Sequence, residues 1–290
     1  MNHIIAIKDN MSVYPRPKPF KVVFFSNLLS PKCPVLFRSI TETLKEHNIA
    51  YGILDNTKDI WCRDYMPIQT EDGRLIYYLY NPDYLQTPYY RRTITDINSI
   101  ESLKGISGKS IHPLDLVIDG GNVVVCGDKV VMTEKVFAEN NDKSPEDVRQ
   151  LLKEAFQCDI IFLPWDRKEY LGHSDGIIHY IGDNKVLLTN YNDFSPCFYR
   201  KYRKILDSAF DVIPLKYNRP VIHRHSWAYI NFLKVDNLVL VPQLGITEDE
   251  QALQQISSAM PRCNVVGIPS LEAVRKGGAL NCISWDIYVC

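Results

Sequence analysis

Four residues suited to catalysis recur at an almost constant interval along this 290-residue chain. Asp64, Asp119 and Asp175 are spaced by 55 and 56 residues, and Cys282 follows after a further 107 residues, close to twice that interval. His173 lies two residues before Asp175. Carboxylates in one pocket repel one another unless a cation lies between them. A planar guanidinium is such a cation, because its N–H groups donate paired hydrogen bonds to carboxylates.

A thiol and an imidazole beside a guanidinium define a reaction. Cys282 could attack the electron-poor guanidinium carbon as a thiolate, which the positive substrate and a protonated His173 would favour. His173 could then protonate departing ammonia and afterwards take a proton from the hydrolytic water. The residue types therefore predict nucleophilic catalysis with one acid/base group.

The same interval organises the secondary-structure pattern. Turn signals at Asp72, Asp128, Asp183 and Asp236 each divide two short runs of β-branched and aromatic residues, which is typical of a β-hairpin. A helical period and an apolar strand follow, so the unit is hairpin, helix, strand. The predicted second hairpin strands are 76–80, 130–133, 186–189 and 238–241, the predicted helices are 35–47, 144–156, 198–210 and 247–260 with a weaker candidate at 97–103, and the predicted last strands are 49–54, 159–163, 211–215 and 264–268. Ser144 and Thr247 are predicted N-caps.

Five such units fill the chain, and its two ends complete each other. The last hairpin begins near Cys282 and lacks a second strand, whereas the strand at 22–26 has no hairpin partner. We predict that these two strands pair and close the units into a ring, which removes exposed sheet edges. The fold class is then α/β, a five-bladed pseudo-symmetric propeller that forms a single domain over 1–290. Asp64, Asp119, Asp175 and Cys282 are expected on the first strand of each hairpin, with His173 on the same strand face as Asp175, and they would converge on one cavity.

Composition excludes several other classes. There are 33 Lys and Arg against 34 Asp and Glu, and 46% of the residues are hydrophobic, which is ordinary for a globular protein and not for a disordered, fibrous or membrane protein. The near-neutral balance predicts no nucleic-acid or membrane partner. Eight cysteines without a Cys-x-x-Cys pair argue against zinc and thioredoxin-like sites. Without a signal-peptide pattern, we expect a cytoplasmic protein with reduced thiols; a homo-oligomer is left open.

Four motifs resemble those of a known family. Trp61-Cys62-Arg63-Asp64-Tyr65-Met66-Pro67, Asp119-Gly120-Gly121-Asn122, Gly172-His173-Ser174-Asp175 and Gly277-Gly278-Ala279-Leu280-Asn281-Cys282 are similar, in type and order, to those of agmatine deiminases and Porphyromonas-type peptidylarginine deiminases. The likeness runs from about Asp59 to Cys282. It implies a five-bladed α/β propeller that hydrolyses a guanidine to a ureido group and ammonia, without metal or organic cofactor.

The resemblance also implies residue roles. Cys282 matches the nucleophile, His173 the acid/base group, and Asp64 and Asp175 the carboxylates that hold the guanidinium. Asp119 completes the predicted catalytic set, although the family usually has Glu there. The family's cysteine is also typically preceded by His in a longer glycine run, whereas Asn281 precedes Cys282 here. Further predicted substrate-binding residues are Trp61, Arg63 and Asn231.

The expected function is therefore that of a guanidine iminohydrolase whose partner is a small guanidinium compound. Agmatine is the first substrate to expect, with peptidyl- or free arginine second. An amidinotransferase would keep the covalent Cys282 intermediate but pass the amidino group to an amine. An inactive propeller that binds a cationic ligand or a protein partner is the alternative from a different class.

Overall fold

The predicted hairpin, helix and strand unit is present in the computed structural model, which describes residues 20–100 and 111–289. These residues contain five three-stranded sheets, each with a central strand that is antiparallel to one neighbour and parallel to the other. The sheet orders are β15-β1-β2, β3-β4-β5, β6-β7-β8, β9-β10-β11 and β12-β13-β14. The strands are β1 Phe20–Ser26, β2 Ala50–Leu54, β3 Ile68–Gln69, β4 Leu75–Leu79, β5 Ile111–Val117, β6 Val124–Cys126, β7 Lys129–Thr133, β8 Asp159–Leu163, β9 Ile178–Gly182, β10 Lys185–Leu188, β11 Asp211–Pro214, β12 Leu233–Val235, β13 Leu238–Gln243, β14 Asn264–Pro269 and β15 Ser284–Val289.

Helices make the crossovers of four of the five parallel strand pairs, whereas the described part of the β4 to β5 crossover contains only 3₁₀ turns. The helices are α1 Leu29–Lys32, α2 Pro34–Glu46, α3 Cys62–Tyr65, α4 Lys135–Glu139, α5 Pro145–Phe156, α6 Tyr191–Phe194, α7 Pro196–Leu206, α8 Glu248–Ala259 and α9 Leu271–Val274. Long helices α2, α5, α7 and α8 therefore confirm the four strongest helix predictions. Of the weaker candidate at 97–103, Ile97–Ser99 forms a 3₁₀ turn, and 101–103 lie outside the described residues.

The chain groups into two compact units. Among the described residues, the first unit comprises 20–63, 95–100 and 231–289 and holds the sheets of β1 and β13. The second comprises 64–94 and 111–230 and holds the sheets of β4, β7 and β10. The single domain over 1–290 stays a prediction.

Helices α2, α5 and α7 each bury one apolar stripe in a core cluster that includes strands of their own sheet. On α2, Leu36, Ile40 and Leu44 recur every four residues, and all three are fully buried against Val23 and Phe25 of β1. Residues four apart lie on one helix face, so this spacing buries a continuous stripe. The corresponding stripe on α5 is Val148, Leu152 and Phe156, and on α7 it includes Tyr202 and Leu206.

One of the two predicted helix caps is confirmed and the other is wrong. Ser144 Oγ accepts a hydrogen bond from Asp147 N at 3.1 Å and caps α5. Thr247 has helical backbone angles and makes no such bond, so it does not cap α8. Asp249 instead accepts hydrogen bonds from the backbone N–H groups of Leu244 at 2.9 Å and Gly245 at 2.8 Å. The turn before α8 is therefore closed by a carboxylate from inside the helix.

The predicted pairing of the chain's two end strands is confirmed. β1 pairs antiparallel with β15, in a register that sets Val23 opposite Asp286 and Phe24 opposite Trp285. On its other side β1 pairs parallel with β2. Lys21 Nζ also lies 2.8 Å from Asp286 Oδ2 and ties the two strands together. β1 is therefore the central strand of a sheet drawn from distant parts of the sequence.

Substitution of Val23 tests this central position. Val23→Ala is expected to cost about 2–3 kcal/mol of unfolding free energy, because a fully buried side chain is truncated. Val23→Pro should cost about 1–3 kcal/mol more, because proline removes an N–H from a strand that is paired on both sides. Urea unfolding of the two variants measures the difference, and equal midpoints would contradict pairing on both sides of β1.

No helix among the described residues is long and apolar enough to cross a membrane.

Candidate active site

The four recurring residues lie on short helical turns that precede each hairpin. Asp64 is in α3, Asp175 is in the 3₁₀ turn Ser174–Gly176, and Asp119 is the residue before the 3₁₀ turn Gly120–Asn122. Cys282 lies in a turn directly before β15. The prediction that they fall on the first hairpin strand, and that His173 shares a strand face with Asp175, is therefore wrong. Their equivalence in the repeat is kept, because each still comes immediately before its hairpin.

Backbone hydrogen bonds explain why these segments are turns. Asn122 N donates to Asp119 O, Ile177 N donates to Ser174 O, and Ser284 N donates to Asn281 O, at distances of 2.9, 2.9 and 3.1 Å. Each bond links residues three apart, as in a 3₁₀ turn, and keeps the segment out of the sheet ladder. The hairpins therefore start later than the alternation of apolar residues indicates.

The second unit brings His173 together with the three predicted aspartates. His173 Nε2 lies 2.9 Å from Asp119 Oδ2, and His173 Nδ1 lies 3.7 Å from Asp64 Oδ1. Asp64, Asp119 and Asp175 are all buried. Asp119 reaches the imidazole although its side chain is one methylene shorter than the Glu usual in the family, so the imidazole lies between two carboxylates.

Gly121 is required by this close packing. Its backbone N donates to Asp64 Oδ1 at 3.1 Å. A Cβ atom at this position would lie 2.6 Å from His173 Nδ1 and 2.7 Å from Asp64 Oδ1, far inside van der Waals contact. The second glycine of the Asp119-Gly120-Gly121 motif is therefore part of the site and not only of a turn.

The charges of this cluster shift the pKa values of its members. Burial lowers the pKa of His173, but the charges of Asp64, Asp119 and Asp175 and the hydrogen bond to Asp119 outweigh burial and raise the pKa to about 9. Burial raises the pKa of Asp64 to about 7, with further upward contributions from Asp119 and Asp175. Burial also acts to raise the pKa of Asp119, but His173 and Lys135 hold it below its ordinary value. At neutral pH the cluster therefore contains an imidazolium next to an ionised Asp119.

One carboxylate oxygen of this cluster has no hydrogen-bond partner in the part of the chain that the structure describes. Among the described residues, Asp119 Oδ1 is buried and accepts no hydrogen bond, while Oδ2 faces His173 and Lys135. A buried carboxylate oxygen without a donor is costly. It is therefore suited to accept an N–H from a bound cation.

Sequence reasoning missed a lysine beside the aspartate–histidine pair. Lys135 has no solvent exposure, and its Nζ lies 3.5 Å from Asp119 Oδ2, 2.9 Å from Glu139 Oε1 and 3.2 Å from Asp83 Oδ1. Nζ also lies 4.7 Å from the ring centroid of Tyr84, which is 6.4 Å from the ring of His173. A lysine at the start of a helix looks like a solvated residue in the sequence, so no signal identified it.

The first unit positions Cys282 through Asn231. Asn231 Oδ1 accepts a hydrogen bond from Cys282 N at 3.2 Å, and Asn231 O accepts one from Asn281 N at 3.1 Å. Cys282 O accepts a bond from Arg63 N at 3.2 Å. The Cys282 residue is partly exposed, whereas Cys33, Cys62 and Cys126 are buried. The turn of Cys282 is therefore held by backbone hydrogen bonds, and the residue is not fully buried.

Arg63 and Trp61 support the same turn. Arg63 Nη2 lies 2.7 Å from Asp286 Oδ1, so the guanidinium is bound to a carboxylate of β15. A Cβ atom at Gly278 would lie 2.3 Å from the Trp61 ring, so the glycine before Cys282 is required by the approach of the indole. These contacts give Arg63, Trp61 and Asn231 a role in shaping the Cys282 turn.

The other chemistry-bearing residues form no metal site. No group of three or more His, Cys, Asp or Glu side chains among residues 20–100 and 111–289 could hold a metal ion. None of the seven cysteines in these ranges is in a disulfide, and Cys197 is exposed; Cys290 lies outside the described residues.

Solved structures share this fold along most of the chain. An agmatine deiminase of C. jejuni superposes with a TM-score of 0.72 at 16% identity, and the match covers 95% of each chain. Agmatine deiminase of Enterococcus faecalis gives a TM-score of 0.72 at 18% identity over 97% of each chain. Together with the five repeated sheets, these matches confirm the predicted class, a five-bladed α/β propeller.

Sequence comparison gives the family. Residues 35–287 match the model of the Porphyromonas-type peptidyl-arginine deiminases, so the chain belongs to that family. Two curated relatives, from Marinomonas sp. (strain MWYL1) and Streptococcus mutans, carry the provisional name agmatine deiminase. The first is 25% identical over 64% of this chain and 61% of its own length, and the second is 24% identical over 83% and 77%. The chain thus spans about three fifths of the first relative.

Proposed function

We propose that this protein is a guanidine deiminase that converts agmatine to its ureido product and ammonia. The observation that carries the proposal is the buried imidazole of His173 between the carboxylates of Asp119 and Asp64, 2.9 and 3.7 Å away. A pocket with more carboxylates than cations attracts a guanidinium, and the partnerless oxygen of Asp119 offers it an acceptor. Agmatine is the substrate that the relatives' names favour.

The proposed reaction proceeds through a covalent intermediate on Cys282. The thiolate adds to the guanidinium carbon, while Asp64 and Asp175 hold the N–H groups of the substrate. The C–N bond to one terminal nitrogen then breaks, and ammonia leaves with a proton from His173. The remaining S-alkyl-isothiouronium carries the positive charge.

Water completes the cycle. It adds to the isothiouronium carbon as His173 takes one of its two protons. The C–S bond then breaks to restore the thiolate, and the urea is released as the remaining hydroxyl proton passes to solvent. Since Nε2 of His173 is hydrogen-bonded to Asp119, Nδ1 is the nitrogen that gives and takes the proton. No oxidant, metal or organic cofactor enters the atom balance.

A substrate panel tests the proposal and separates its rivals. The protein is incubated with agmatine, free arginine or an arginyl peptide, and ammonia and ureido product are measured. Equal yields of both products from agmatine would support deimination, and a preference for the peptide or free arginine would move the assignment within the family. Amidino transfer to an added amine without ammonia would instead favour an amidinotransferase. No turnover on any of them, with Cys282 unreactive to iodoacetamide, would overturn the enzyme proposal.

A further inference from the structure

Lys135 is a buried cation in the second unit that the proposed reaction does not use. Its side chain has no exposure, yet its Nζ contacts three carboxylates. Burying an ammonium is costly unless it is paired and hydrogen-bonded. Lys135 Nζ lies 3.5 Å from Asp119, the carboxylate that binds His173, and its positive charge favours the ionised form of that carboxylate.

The Lys135 side chain is held both at its ammonium group and along its aliphatic stem. Glu139 lies one helical turn along α4 and forms the closest pair, at 2.9 Å. The aliphatic stem lies against Gly172, where a Cβ atom would be 3.0 Å from Lys135 Cδ, and Gly172 directly precedes His173. Thr133 Oγ1 donates to Gly172 O at 2.5 Å and accepts from Lys135 N at 3.4 Å. The backbone next to His173 and the side chain of Lys135 are therefore in direct contact, through Gly172 and Thr133.

The charge beside Asp119 changes when His173 gains or loses a proton, and Lys135 supplies a cation that does not change. While His173 is protonated, it compensates the negative charge of Asp119. Once His173 has given its proton to ammonia, Asp119 is a buried carboxylate beside a neutral imidazole. Such a carboxylate tends to regain the proton unless another cation compensates it.

We propose that Lys135 is a positioning residue: a permanent counter-cation that keeps Asp119 ionised and directed at His173 while the imidazole is neutral. The lysine remains charged because Asp119, Glu139 and Asp83 outweigh its burial and raise its pKa above the ordinary value. Asp119 therefore stays paired with Lys135 both while His173 is protonated and after it has lost its proton. The proton-transfer role of His173 belongs to the proposed function, but the electrostatic coupling is measurable without turnover.

Titration of His173 by NMR tests the coupling. The groups that face Lys135 are Asp83, Asp119, Glu139 and the Tyr84 ring, and those that face His173 are Asp64, Asp119, Asp175 and Tyr84. In Lys135→Met, which keeps the length of the stem, the pKa of His173 should rise by about 1–3 units, because the deprotonated state loses its counter-cation. Lys135→Arg keeps the charge and should leave the pKa within about half a unit of that of the unmodified protein. A purely structural role would destabilise both variants and move neither titration.

Two further variants are measured in the same way. Glu139→Gln tests the coupling even if Lys135→Met does not fold, and Lys143→Met is the control. Glu139→Gln removes a negative charge next to Lys135, so the pKa of His173 should fall. Lys143→Met removes a partly exposed lysine that pairs with Asp115 and Asp142, and should leave the pKa of His173 unchanged. The ring signals of His173, among seven histidines, are assigned by their loss in His173→Gln.

Opposite shifts in Lys135→Met and Glu139→Gln would support the proposal. An unchanged or lowered pKa in a folded Lys135→Met would overturn it, and so would an unchanged or raised pKa in Glu139→Gln if Lys135→Met does not fold. Absence of turnover in the unmodified protein would instead overturn the proposed function and leave the titration result standing.

Discussion

Replacing Cys282 with alanine is expected to abolish ammonia release from agmatine, by a factor of about 10³ or more, because no other group in the proposed reaction can form the covalent bond to the guanidinium carbon. Cys282 is a partly exposed residue, so its truncation costs less packing than that of a fully buried side chain. Cys282 is held through its backbone N and O, and alanine keeps both bonds. The thermal midpoint should therefore stay within about 2 °C of that of the unmodified protein.

Cys197→Ala is the matched control, because Cys197 is an exposed thiol on α7. Its activity should equal that of the unmodified protein. Mass spectrometry after brief iodoacetamide treatment should find the label on Cys282 and on Cys197, each lost in its own variant. Full turnover by Cys282→Ala would rule out the covalent mechanism.

Asp119→Asn is expected to lower kcat by about 10²–10⁴ and to move the alkaline limb of the pH profile to lower pH. In the unmodified protein Asp64, Asp119 and Asp175 raise the pKa of His173 to about 9, so the imidazolium that protonates ammonia persists to that pH. An amide at position 119 removes one of these charges and the charge-assisted hydrogen bond. The limb should shift down by about 1–3 pH units.

Stability provides a second measurement for this variant, with a defined sign. A histidine whose pKa is raised by folding stabilises the folded state fully below its unfolded pKa near 6.5, and the contribution is lost as pH rises through about 9. The difference in urea midpoint between the unmodified protein and Asp119→Asn should therefore be larger at pH 6 than at pH 10. Asp115→Asn, at a carboxylate that is 77% exposed, should show neither effect. A pH profile of Asp119→Asn with an unmoved alkaline limb would contradict the assignment of that limb to His173.

Much of the fold was predictable because each unit follows from a local sequence pattern and the same pattern recurs along the chain. The 55-residue period, the apolar stripes of α2, α5 and α7 and the strand runs all depend on residues close in sequence. The pairing of β1 with β15 joins the two ends of the chain, yet it followed from counting units. The cap at Thr247 failed because this residue has helical backbone angles, and the turn before α8 is closed by Asp249, which accepts from the backbone N–H groups of Leu244 and Gly245.

The sequence alone determined the residue types of the proposed site and their equivalent positions in the repeats, because symmetry converts a constant spacing into equivalent places. Only the tertiary structure decided that these residues sit on turns before the strands, since the turns are closed by backbone hydrogen bonds that compete with the sheet ladder. It also decided that Asp119 reaches His173 and that Lys135 and Tyr84 join them. Lys135 comes from α4 and Tyr84 from the segment after β4, and neither repeats elsewhere in the chain. Their roles depend on burial and charge, which arise only when distant segments fold together.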